Sequence, residues 1–173
     1  SNSCDAHLAR AGFYQCMAPL GFLLEEIMFD RLELLIGKEN IEKISKINVL
    51  IVGIGGVGGT ALEALVRSGV KNITIIDKDV FSESNLNRQI LSTRDSIGLY
   101  KVDVGIDRCK SINPDVNIKG LKINLDEENI NELGNFDYVI DACDDINAKL
   151  ALMEYSSRNN IKLISSMGTG KRL

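Results

Sequence analysis

Arg88, Lys101 and Asp144 are the residues whose types and neighbours call for chemistry. Arg88 stands in Asn85-Leu86-Asn87-Arg88-Gln89, a loop-like segment dense in polar donors. Lys101 opens a helical pattern, where the helix dipole disfavours a cation, so a nearby anion or solvent has to accommodate it. Asp144 belongs to the run Asp141-Ala142-Cys143-Asp144-Asp145, directly after the apolar Tyr138-Val139-Ile140. Two cations beside a carboxylate suit work on a phosphate chain. Guanidinium and ammonium groups offset the charge that develops there, and Mg²⁺ is commonly held by one or two carboxylates plus phosphate oxygens. Asn85 and Gln89 add neutral donors.

These groups are distant in sequence, so the elements between them must bring them together. Val49-Leu50-Ile51-Val52 has no polar break and reads as a strand buried on both faces. Gly53-Ile54-Gly55-Gly56-Val57-Gly58 follows with G-x-G-x-x-G spacing, and Ala61, Leu62, Leu65 and Val66 recur at helical intervals up to a stop at Gly69. Glycines permit the tight turn and the approach of a phosphate, and the helix N-terminus offers unpaired N–H groups to an anion. A second apolar run, Ile73-Thr74-Ile75-Ile76, ends at Asp77, about twenty residues beyond the glycines, where a carboxylate takes the ribose hydroxyls of an adenine nucleotide. No G-x-x-x-x-G-K-[ST] motif is present: Gly168-Thr169-Gly170-Lys171 lacks the spacing and the hydroxyl residue. Charge neutralisation on a triphosphate must then come from outside the glycine turn, with Arg88 and Lys101 as candidate donors. A nicotinamide-binding oxidoreductase shares the glycine turn and Asp77 but needs neither the Asn85–Arg88–Gln89 segment nor Asp144.

The remaining elements complete an α/β pattern. After Gly98, Val102, Ile106, Cys109 and Ile112 share a helical face, which makes Cys109 core filling. Residues 116–123 read as a strand, Asp126-Glu127-Glu128 as an acidic helix start, 138–140 as a strand, 146–159 as a helix and 162–167 as a further strand. Alternating strands and helices predict a Rossmann-like, doubly wound, mostly parallel sheet with helices on both faces. The glycine turn, the Asn85–Gln89 loop and the acids after Ile140 then meet at its carboxyl edge. Ahead of the first strand, Leu32, Leu35 and Ile36 share one short helical face, Gly37 ends that run, and Ile41, Ile44 and Ile47 share another.

At 173 residues the chain has the size of one domain. Residues 1–27 differ in character from the rest and read as an appended or upstream extension before Met28, with no role for His7 or Cys16. Residues 28–173 read as one nucleotide-binding domain that stops soon after a strand, as if truncated at its C-terminus. No apolar run reaches membrane-spanning length. Four cysteines without a C-x-x-C pair provide neither a zinc site nor a disulfide framework and point to a reducing, cytoplasmic compartment. Carboxylates around Cys143 raise its pKa, which favours packing over nucleophilic chemistry. A net charge of −4 argues against broad electrostatic capture of nucleic acid, leaving room for a local basic stripe.

Six motifs occur together: Val-Gly-Ile-Gly-Gly-Val-Gly-Gly (52–59), Ile-Asp-Lys-Asp (76–79), Asn-Leu-Asn-Arg-Gln (85–89), Gly-Leu-Tyr-Lys-Val (98–102), Ile-Asn-Pro (112–114) and Ile-Asp-Ala-Cys-Asp-Asp (140–145). In that order they resemble the ThiF/MoeB/HesA superfamily, related to ubiquitin-activating enzymes. Phe-Asp-Arg-Leu-Glu-Leu-Leu-Ile-Gly (29–37), Asn-Arg-Gln-Ile (87–90) and Ser-Met-Gly-Thr-Gly-Lys-Arg-Leu (166–173) look closest to its TcdA branch, the tRNA threonylcarbamoyladenosine dehydratases. The resemblance implies ATP and Mg²⁺, carboxylate activation as an acyl-adenylate, and ligase-type chemistry. It places Gly53, Gly55, Gly56 and Gly58 at the nucleotide turn and Asp77 on the ribose. Asn85, Arg88, Gln89 and Lys101 fall at polyphosphate positions and Asp144 at the metal. Arg31 matches an arginine that reaches the ATP of a partner subunit, which implies a homodimer. Two substrates are compatible with it: threonylcarbamoyladenosine in tRNA, or the C-terminus of a small sulfur-carrier protein, as in MoeB and ThiF.

Overall fold

The structure is a computed structural model and describes residues 28–166. The expectations attached to residues 1–27 and to the stretch 167–173 lie outside them. The described chain divides between Ile41 and Glu42 into two compact units. In the first, residues 28–36 are helical and Gly37, at φ +81°, ends the run with its N–H on the Glu33 carbonyl. Arg31 lies exposed on that helix. Helix α1 (Lys38–Lys46) follows.

Val49 to Val52 occupy β1 (Asn48–Val52) and are buried. Their side chains alternate between two cores: Val49 and Ile51 join one, Leu50 and Val52 the other. Burial on both faces is why this strand reads as an unbroken apolar run. The chain then turns into α2 (Gly56–Arg67) and returns as β2 (Asn72–Ile76), with Gly69 at φ +91° where α2 has ended. Helix α3 (Lys101–Ile112), β3 (Asn117–Leu121), β4 (Tyr138–Asp141), α4 (Ile146–Arg158) and β5 (Lys162–Ser165) complete the order.

The five strands form one sheet in the order β3-β2-β1-β4-β5, and every pair is parallel. This is the predicted doubly wound α/β fold. Strand order reverses between β1 and β4, and ligands of open α/β sheets bind outside the carboxyl ends of the strands at such a point. The register also aligns the strand ends: Val52 pairs with Ile76 and Asp141, Ile76 with Leu121, and Asp141 with Ser165.

One face is packed by Leu62 and Val66 of α2 and by Val102 and Cys109 of α3. Cys109 is fully buried there, as its helical spacing predicts. The other face is packed by Ala148, Ala151, Leu152 and Tyr155 of α4 with Leu125 and Ile130.

Between β3 and β4 the expected helix is absent. Asp126-Glu127-Glu128 starts a turn, and the only helical geometry in this crossover is a single 3₁₀ turn, Ile130–Glu132. Side chains have taken over the backbone groups a helix would have used. Asp126 Oδ1 accepts from the Glu128 and Asn129 N–H groups, while Asn129 accepts from the Asp126 N–H and donates to the Asn124 carbonyl. Gly134, at φ +86°, then redirects the chain. The short crossover leaves Asn72, Thr74, Asn117 and Lys119 lining a cavity of about 400 Å³, closed on one side by Leu133 and Phe136.

Candidate nucleotide site at the switch point

The glycine turn sits between two loops, and the glycines divide by what surrounds them. Gly53 has φ +89°, and a Cβ on it would lie 2.8 Å from the Ala142 carbonyl and the Cys143 nitrogen. A Cβ on Gly58 would stand 1.7 Å from the Gly53 carbonyl oxygen. These two exist because backbone passes over backbone. Gly55 and Gly56 face the other loop with more room. Their Cβ positions would lie 3.7 Å from Gln89 Nε2 and 3.3 Å from the Arg88 carbonyl. The turn is therefore flanked on one side by residues 142–143 and on the other by residues 88–89, the convergence the sequence predicts.

Helix α2 starts at this turn with Gly55 as N-cap and no side chain capping it. A helix N-terminus left without a cap is suited to an anion. Asp77, ending the second strand's run, braces the same turn: its Oδ2 accepts from the Ile54 N–H at 2.7 Å and its Oδ1 from the Asp79 N–H at 2.8 Å. Lys101 is buried, with Nζ 3.0 Å from Asp79 Oδ2 and 3.9 Å from Asp77 Oδ2. The anions that accommodate this first-turn lysine are the protein's own carboxylates, not solvent. Asp79, which the sequence reading left without a role, carries most of that pairing.

The Asn85–Gln89 segment is held by local bonds. Asn85 is buried and its Oδ1 accepts from the Ser82 N–H in a capping box. Arg88 is exposed, donates from Nη1 to the Ser84 carbonyl (2.6 Å) and to Asn87 Oδ1 (3.1 Å), and pairs with no carboxylate among the described residues. Gln89 is buried, and its Oε1 has no partner there. A guanidinium with no carboxylate partner among the described residues and a buried amide oxygen with no hydrogen-bond partner there thus belong to the loop that faces Gly55 and Gly56.

Across the turn, Asp141 closes β4 with its side chain fully buried. Its carboxylate accepts from Lys149 Nζ (2.9 and 3.0 Å), from the Cys143 N–H (3.2 Å) and thiol (3.0 Å), and from the Ser165 hydroxyl. Burial alone would raise its pKa, but the bonds from Ser165, Lys149 and Cys143 outweigh that and hold the carboxyl below the usual range. Burial and the bond to Asp141 push the Cys143 thiol up to about 12, so it is a packing residue and not a thiolate. Asp145 caps α4 through the Asn147 and Ala148 N–H groups. Asp144, between them, is exposed and makes no hydrogen bond or ion pair among the described residues. Sequence reasoning missed Lys149, which lies beside the apolar stripe Ala148–Leu152–Tyr155 and has no periodic signal of its own.

No cluster of three metal-ligating side chains occurs among the described residues. A protein-only metal cage is thus not what these residues offer. One unencumbered carboxylate, Asp144, fits Mg²⁺ shared with phosphate oxygens, the ordinary manner of binding that ion. The 400 Å³ cavity is a separate feature, since no residue of the glycine turn, of 85–89 or of 141–145 lines it.

The ThiF family model matches residues 29–172. The chain belongs to the ThiF family. It is 42% identical over 146 residues to tRNA threonylcarbamoyladenosine dehydratase of Bacillus subtilis, covering 83% of this chain and 58% of that protein. It is 34% identical over 106 residues to molybdopterin-synthase adenylyltransferase of Haemophilus influenzae, covering 61% of this chain and 44% of that protein. Among solved structures it is similar to E. coli TcdA, tRNA N6-threonylcarbamoyladenosine dehydratase, in complex with ATP. The TM-score is 0.81 at 36% identity, covering 86% of this chain and 62% of TcdA. The chain thus spans about three fifths of the length of these dehydratases. The resemblance drawn from the motifs points to the same branch.

Proposed function

We propose that this ThiF-family chain is the adenylation domain, residues 28–173, of an ATP-dependent dehydratase that cyclises threonylcarbamoyladenosine in tRNA. The supporting observation is the glycine turn held between the loop of Arg88 and Gln89 and the loop of Asp144, in a fold similar to that of an ATP-bound dehydratase. Adenylation turns a carboxylate, a poor electrophile, into a mixed anhydride with AMP as leaving group. Backbone N–H groups at the start of α2 orient the phosphate chain, and Asp77 receives the ribose. The substrate carboxylate attacks the α-phosphorus in line, and negative charge grows on the departing pyrophosphate. Arg88 and Lys101 offset it, with Asn85 and Gln89 completing the binding shell. Asp144 would hold Mg²⁺, which supplies further charge neutralisation when bound. Attack from within the activated group then expels AMP and closes the ring. Arg31 acts on the ATP of a partner subunit in this reading, which makes the enzyme a homodimer, and its cysteine pattern favours the cytoplasm.

The decisive measurement is AMP release by the full-length protein with MgATP and either threonylcarbamoyl-modified tRNA or a sulfur-carrier protein. Release with the tRNA alone supports the dehydratase. Release with the carrier alone would assign the chain to the sulfur-carrier adenylyltransferases, and stabilisation by NAD in place of ATP would overturn both.

A further inference from the structure

Two acids stand at the carboxyl end of β4, Asp141 and Asp144, and among the described residues only Asp144 is without a partner. Lys149 spends its ammonium on Asp141: Nζ lies 2.9 and 3.0 Å from the two carboxylate oxygens and 2.9 Å from the Ser166 carbonyl. Both side chains are withdrawn from solvent, Asp141 at 1% exposure and Lys149 at 13%. Such a pair is a poor way to gain stability, because desolvation roughly cancels the attraction and apolar replacements are often neutral or better. Its place is informative. Asp141 pairs in register with Val52, and the next residue donates its N–H to the Val52 carbonyl and touches the Gly53 turn. An uncompensated charge at Asp141 would thus sit at the edge of the phosphate site, in a low-dielectric setting where repulsion is strong.

Resting on the adenylation reading above, we propose that Lys149 is a positioning residue that removes the charge of Asp141 from the nucleotide crevice, leaving Asp144 as the uncompensated acid that the β4 end presents to the polyphosphate. Its role is electrostatic and acts through Asp141. The sign of the charge is therefore what separates it from a structural brace.

The test measures ATP binding by calorimetry in the absence of metal and with Mg²⁺, using full-length protein. Wild-type protein that binds ATP neither with Mg²⁺ nor without it defeats the adenylation reading itself, and the variants are compared in the condition in which the wild type binds. Given wild-type binding, Lys149→Met leaves Asp141 unopposed and weakens ATP about tenfold or more. Asp141→Asn leaves Lys149 unopposed and tightens it, while the double variant returns to within about threefold of wild type. Equal weakening in both single variants, or an unchanged Lys149→Met, overturns the proposal. Where Lys149→Met does not fold, Asp141→Asn decides: weaker ATP binding in that variant overturns the proposal, and tighter binding supports it.

Discussion

Ile54 and Asp77, at the ends of neighbouring strands, are joined by a 2.7 Å hydrogen bond from backbone N–H to carboxylate. The acid that the motif assigns to a ribose is therefore also a strut of the glycine turn, with its other oxygen on the Asp79 N–H. In the proposed site, binding and shape share one side chain.

Asp77→Asn should accordingly damage both. An amide has one accepting oxygen where the carboxylate has two, so one backbone donor is orphaned at a cost of about 1–3 kcal/mol. The expected result is a lower urea midpoint together with weaker ATP binding. Loss of binding at unchanged stability would mean that the strut carries no load.

Arg88→Ala should behave differently. The guanidinium is exposed and, among the described residues, bonds only to neighbours in its own loop, so unfolding should shift by no more than about 0.5 kcal/mol. ATP turnover should fall about 10²–10³-fold, the usual cost of removing one charge-stabilising contact. Single-turnover kinetics of AMP formation would show it, and unchanged turnover counts heavily against the adenylation site.

Gly58→Ala and Gly55→Ala form a contrasting pair. At Gly58 the new methyl would meet backbone at 1.7 Å and force the turn apart, so destabilisation of about 1–3 kcal/mol or more is expected. At Gly55 the nearest atom is 3.7 Å away and the fold should persist, while the methyl fills the side that faces Gln89. Unfolding midpoints and ATP binding, measured together, should move in opposite proportions in the two variants.

Asp141 predicts an acid-dependent loss of stability. Its folded carboxyl is held below the ordinary value of 3.8, so its contribution is complete above that value and disappears as pH falls through the folded one. Unfolding free energy measured from pH 6 down to about pH 3 should therefore decline, and the decline should be shallower in Asp141→Asn.

Much of this was legible in the residues. Val49–Val52 announced a doubly buried strand because parallel sheets bury both faces, and Gly53 and Gly58 announced the turn because no Cβ fits where they stand. Arg88, Gln89 and Asp144 were placed at one edge because strands of a doubly wound sheet end there. Two things were hidden. Asp126-Glu127-Glu128 looked like a helix start, yet the carboxylate and amide of Asp126 and Asn129 satisfied the local backbone and closed a turn instead. Lys101 could be matched to an anion or to solvent but not to a particular partner, and Lys149 gave no signal at all. Their burial depends on Asp79 and Asp141, partners 22 and 8 residues away whose approach only the fold creates.

The aligned strand ends set how tolerant this architecture is. With Val52, Ile76, Leu121, Asp141 and Ser165 in one row, every loop of the site departs from a common sill, and its composition can change without disturbing the layers beneath. Slippage is another matter. Moving β4 by a single residue would displace its loop by about 3.3 Å and turn Asp141 to the opposite face, uncoupling the acid loop from the glycine turn while the sheet itself stayed whole.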